Sequence, residues 1–155
     1  MHRRLRNATG LGFLALLLTG MATLTTRATA AEAEDATPRA YIVNLADGQH
    51  VTSPFKVIFG LSHFGVAPAG VERPKTGHHH LLIDTRLSES EYKAPIPSDA
   101  QHRHFGGGQT EVVLDLPPGP HTLQLVLGDA NHVPFDPSIE SEVIHIHVDA
   151  DKPAP

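Results

Sequence analysis

Eight residues in the middle of the chain, Gly77-His-His-His-Leu-Leu-Ile-Asp84, constrain the fold more than any other stretch. Three adjacent histidines run straight into an apolar segment that an acid closes. A run of this kind, placed mid-chain, reads as the front of a buried strand over about 78–85. Side chains alternate across a strand, so His78 and His80 share one face and His79 takes the other. Imidazole is the commonest protein metal ligand. The paired face therefore either holds a metal or packs. One of the two alternating sets must face a core, and the pattern leaves open which.

The start of the chain has the make-up of a secretory signal over residues 1–30. Arg3, Arg4 and Arg6 form a basic head, Leu11 to Leu18 an apolar run interrupted only by Gly12, and Ala28-Thr-Ala30 a cleavage site. The apolar run is too short to span a bilayer stably. No Cys follows it to carry a lipid anchor, and no later stretch is long and apolar enough to cross a membrane. The expectation is a periplasmic protein, exported through the Sec pathway, with no transmembrane anchor in the mature chain. A disordered leader is expected over 31–39, a single domain over 40–149 and a polar tail over 150–155.

The 125 residues after Ala30 suit one domain. Four of the 12 Lys and Arg lie in the signal and none of the 17 acids does, which leaves a formal charge of −9. A domain this acidic, with no basic run, argues against nucleic acid and anionic lipid as partners and favours cations. The chain has no Cys, and both Met residues, Met1 and Met21, fall in the signal. Disulfides, thiolate sites and thioether copper(I) sites are thus excluded from the mature chain. Any metal must be held by imidazole and oxygen, and 11 of the 12 His lie after the signal.

Along the chain, short strands alternate with Pro- and Gly-rich turns, and no helix is convincing. Strands are expected at Tyr41–Leu45, at Phe55–Leu61, led into by Val51-Thr-Ser-Pro54 and with Phe55, Val57, Phe59 and Leu61 on one face, at 78–85, at Thr110–Leu116, at His121–Leu127 and at Glu142–Val148. In the last, Ile144, Ile146 and Val148 face inward and His145 and His147 outward. Residues 62–76 and 86–109 are expected as loops, the second long enough to be functional. The fold class expected is all-β: a single immunoglobulin-like antiparallel β-sandwich of six to eight strands.

Two phrases resemble bacterial immunoglobulin-like domains: Asn44-Leu-Ala-Asp-Gly-Gln-His-Val-Thr-Ser-Pro-Phe-Lys-Val57 and Pro117-Pro-Gly-Pro-His-Thr-Leu-Gln-Leu-Val-Leu-Gly-Asp-Ala-Asn131. More particularly, the region from Tyr41 to Val148 is similar to an exported bacterial family catalogued as domain of unknown function 4399. The residues that carry the likeness are Gly65–Val71, Gly77–Asp84, Pro97–Asp99, His102–Glu111 and His121–Asp129 with His132 and Pro134. The resemblance implies an exported domain and no settled activity. Where the family pattern commonly has a further histidine, this chain has Phe135.

A mononuclear zinc site needs three or four donor atoms at about 2.0–2.1 Å. His78-x-His80 offers two, His102-x-His104 two more, and His132 stands ready to join or replace one. The candidate metal ligands are thus His78, His80, His102, His104 and His132. Imidazole-rich sites without sulfur suit copper(II) or zinc. Asp84, Asp99, Glu111 and Asp129 are candidate oxygen ligands or hydrogen-bond partners. His121 reads as a structural hydrogen-bonder, His145-x-His147 as a solvated face, and Gly106-Gly-Gly108 as a loop passing close to another backbone or, less well supported, an anion nest.

Three functions fit these residues. The first is a periplasmic domain for copper or zinc carriage, buffering or delivery. The second is a metal-free envelope module whose partner is a protein or glycan and whose histidines lock loops through hydrogen bonds. The third is a metalloenzyme, the least supported, since no nucleophile elbow, H-E-x-x-H or P-loop occurs.

Overall fold

The computed structural model describes residues 37–150. The expected signal peptide, most of the expected leader and most of the expected tail lie outside the described residues. Within them the chain forms nine strands: β1 (Arg39–Ile42), β2 (Gln49–Thr52), β3 (Phe55–Ser62), β4 (Gly65–Val66), β5 (Thr76–Ile83), β6 (His102–His104), β7 (Glu111–Leu114), β8 (Gly119–Gly128) and β9 (Ile144–Asp149). A single 3₁₀ turn spans Glu91–Lys93. Among the described residues there is no α-helix, so the all-β expectation holds.

Two sheets form. The smaller has the order β1-β3-β7, and the larger β2-β9-β8-β5-β4, with β6 also paired to β5. Two details depart from expectation. Nine strands replace six to eight, because β4 and β6 lie in stretches expected as loops. At two and three residues they are too short to show a period, and they exist because the edge of β5 is there to pair with. The larger sheet is also mixed rather than antiparallel throughout, since β2 runs parallel to β9 and β4 parallel to β5.

Both sheets contribute to one core. Ala40, Phe55, Val57, Phe59 and Leu114 enter it from the smaller sheet, and Leu81, Ile83, Leu123, Leu125, Ile146 and Val148 from the larger. The alternation of β3 and β9 is as the sequence predicts. On β8 it breaks down, because every residue from Leu123 to Gly128 is buried. The same is true of β5 from Gly77 to Ile83. The outer faces of these two strands lie beneath the connection that follows β5. There Leu82 and Val126 form a second apolar cluster with Leu87 and Ile96, with Tyr92 packed against it.

Burial on both sides of β5 answers the question of parity. His79 points with Leu81 and Ile83 into the shared core, its ring 5.3 Å from that of Phe59. His78, His80 and Leu82 point outward and are still fully buried, under the covering loops. Neither nitrogen of His79 has a hydrogen-bond partner. A buried polar group left unpaired costs about 1–3 kcal/mol. His79→Leu is therefore expected to raise stability at pH 7 by about that amount, read as a higher urea midpoint. Leu123→Ala, at a position with no solvent exposure, should lower stability by about 2–5 kcal/mol in the same assay. Val113→Ala, on the exposed side of β7, should change it by less than about 0.5 kcal/mol.

Candidate metal centre

The outer face of β5 carries His78 and His80 two residues apart, so their rings lie side by side. Their Nε2 atoms are 3.1 Å apart and their ring centroids 4.9 Å. Antiparallel pairing of β6 with β5 sets His104 directly opposite His80. The His104 ring is then 5.0 Å from each of His78 and His80. The connection between β8 and β9 brings in His132, 4.9 Å from His78 and 4.7 Å from His104. It stays 6.0 Å from His80. Three donor atoms, one each from His78, His104 and His132, lie within 4.8 Å of one another.

Local chemistry holds His132 in place. The Asp129 carboxylate accepts the backbone N–H groups of Asn131 and Val133, at 2.8 and 2.9 Å. The Asp129 carbonyl accepts the N–H of His132, and the Asp129 N–H donates to the Val133 carbonyl. This tight turn holds His132 at φ 71°, a left-handed conformation uncommon for any residue but glycine. The His132 carbonyl accepts the N–H of Ile96 at 2.9 Å. The long connection after β5 is thereby tied to the loop that carries His132.

Two glycines make room. A Cβ on Gly128 would come 2.9 Å from His80 Nε2 and 3.3 Å from the backbone of His132. A Cβ on Gly106 would overlap the His104 ring. The Gly106 carbonyl also accepts the N–H of Ala69 at 2.8 Å. The glycine run thus serves as a close backbone approach, the first of the two roles its sequence allowed.

Burial favours the neutral form of His78, His80 and His104. Burial, followed by the charge His104 and His132 would add, lowers the pKa of His78 from 6.5 to about 4. Asp129 opposes that shift weakly. Burial and then the neighbouring rings take His80 to about 3. Burial and then His132 lower His104 as well, and burial alone takes His79 to about 4. Neutral imidazole is the form that binds metal. The hydrogen bonding is thin for so many buried nitrogens. The contact between His78 and His80 supplies one N–H···N bond, and Nδ1 of each ring has no partner.

His102 is not brought into this cluster. Its Nδ1 is 2.9 Å from the Asp99 carboxylate, which also accepts the His102 backbone N–H. The side chain closes the turn before β6 although it shares a face with His104. The structure therefore groups His132, and not His102, with His78, His80 and His104. The other acids expected near the metal are engaged elsewhere, Asp84 with His121 and Glu111 with Lys56.

His121 is the hydrogen-bonder its position predicted, with Nδ1 2.7 Å from Asp84 and Nε2 2.9 Å from the Pro117 carbonyl. Burial works against its charged form, but the bonds to Asp84 and Pro117 prevail and raise its pKa. Phe135 packs edge-on against Phe64 at 5.0 Å. The sequence did not reveal Gly128 as the space the rings need, nor Asp129 as the shaper of the His132 turn. The Asp129-x-Asn131 spacing was the available signal for the latter.

In the metal-free protein, the folded pKa values of His78, His79 and His80 lie below the unfolded value of 6.5. The unfolded chain therefore binds more protons as the pH falls. The stability these groups confer is full above about pH 6.5 and is lost as the pH falls toward about 3. His121 acts in the opposite sense: its contribution is present below its unfolded pKa and is lost as the pH rises through its raised folded value. With His104, which is lowered as well, four lowered histidines oppose one raised histidine. The urea midpoint should drop between pH 7 and pH 4.5, and His79→Leu should make that drop shallower.

The profile of a family described as a domain of unknown function (DUF4399) matches residues 57–149. No curated protein and no solved structure matches the chain.

Proposed function

We propose that this chain, which belongs to the DUF4399 family, is a metal-binding domain that holds copper(II) or zinc through His78, His104 and His132, with His80 as a fourth imidazole. The observation that carries the reading is the convergence of donor atoms from three separate segments within 4.8 Å, with burial favouring the neutral form of His78 and His104. An ion about 2.1 Å from each of two nitrogens sets them roughly 3 Å apart, close to the 3.1 Å between His78 and His80. A hydrogen-bond network that locks loops without metal fits less well, because such a network would pair the Nδ1 atoms that are left over.

His78 and His80 are buried, His132 is half-buried and His104 is exposed. An ion can thus reach the cluster from the His104 side without unfolding the sheet. That favours carriage, buffering or delivery over a purely structural ion. The scaffold we propose is immunoglobulin-like, supported by a core shared between two sheets and by the parallel pairing of early strand β2 with last strand β9. Export to the periplasm rests on the signal-like first 30 residues.

Untagged protein purified from the periplasm should carry close to one equivalent of copper or zinc by elemental analysis. His104→Ala, which removes the exposed ligand, should lose most of that metal and keep its fold. Free ion at 100 times Kd should stabilise the wild type by about 2.7 kcal/mol, seen as a rise in Tm that is much smaller in His104→Ala. Wild type that purifies without metal and gains no Tm from Cu²⁺ or Zn²⁺ would falsify the reading.

A further inference from the structure

We infer that a second divalent-metal site, independent of the first, lies on the solvent side of the β2–β9 edge and is formed by His50, His147 and Asp149. Parallel pairing sets His50 directly beside His147 and Thr52 beside Asp149. Strand alternation puts His147 and Asp149 on one face, with fully buried Val148 between them on the other. The two imidazole rings are 4.9 Å apart. One donor atom from each of the three residues lies within 4.8 Å of the others. Nδ1 of His50 is 2.8 Å from the Asp149 carboxylate, the separation that two atoms take when each binds one ion at about 2.1 Å with a bite near a right angle.

Two imidazoles and a carboxylate on one side of an ion make a set that zinc and other borderline divalent metals accept. Three ligands leave the remaining positions to water or to a donor from another molecule. The ion is therefore expected to bind more weakly here and to exchange faster than in the buried cluster. As a bare surface ion pair, His50 and Asp149 would contribute little, and that pairing gives His147 no part. Coordination uses all three side chains.

The sites cannot share an ion. His147 pairs with Pro120 and His80 with Val126 along β8, six residues apart, which is about 20 Å of strand. They also differ in origin: the buried cluster needs two loops folded over the sheet, whereas this one needs only the register of two strands.

The test is a Zn²⁺ titration of the untagged mature protein, by calorimetry and by equilibrium dialysis. Wild type is expected to bind two ions of distinct affinity. His147→Gln and Asp149→Asn, both at exposed positions, should weaken the second binding event at least tenfold and leave the first unchanged. His104→Ala should do the reverse. Unchanged second-site binding in both His147→Gln and Asp149→Asn, or wild-type binding that saturates at one ion sensitive only to His104→Ala, overturns the proposal. Binding lost in His147→Gln but indifferent to His104→Ala overturns the buried site and leaves this one standing.

Discussion

Strand β5 is hydrogen-bonded on both edges and buried on both faces, and the rest of the molecule is arranged to make that possible. On one edge it pairs with β8 from His78 to Ile83. On the other, β4 takes its start and β6 its middle. Inward, Leu81 and Ile83 lie in the shared core. Outward, the strand would expose Leu82 and two imidazoles unless something covered them. The connection after β5 does so, anchored by Leu87 and Ile96 against Leu82 and Val126, and the β8–β9 connection closes over the other end.

That covering turns a histidine run into a site. Imidazole in water is half protonated near pH 6.5 and holds its neighbours apart by charge. Under the loops, His78 and His80 are pushed to about 4 and about 3, so the rings are neutral and can crowd together. The crowding also requires absent side chains. Gly128 and Gly106 stand where any Cβ would meet His80 or His104. The left-handed turn at His132, held by Asp129, stores backbone strain at the one histidine of the cluster that comes from a loop. Strain at such a position is commonly found where a side chain must be aimed.

Much of this was legible from the residues alone. Alternation placed Phe55, Val57 and Phe59 inward, and set His145 and His147 apart from Ile146 and Val148, because period-two burial is a local property of a strand. The same logic paired His78 with His80. It failed on β8, where a second layer buries both faces and removes the polar half of the pattern. It also failed for His102. Its parity matched His104, but a carboxylate three residues back captured its ring, and competition between a nearby acid and a distant cluster is not written in spacing.

The sequence by itself determined the all-β class of fold, the absence of cysteine and the identity of the histidines that can ligate. These follow from composition and from strand periodicity, which act over a few residues. The tertiary structure alone decided which histidines meet. His104 reaches His80 through the register of a three-residue strand, His132 arrives from a loop more than fifty residues after His78, and His50 stands beside His147 through a parallel pairing of the two outermost strands of the larger sheet on that side. Each of these is a contact between distant segments, set by which sheet edges are free to pair and which faces must be covered, and neither constraint exists until the strands have assembled.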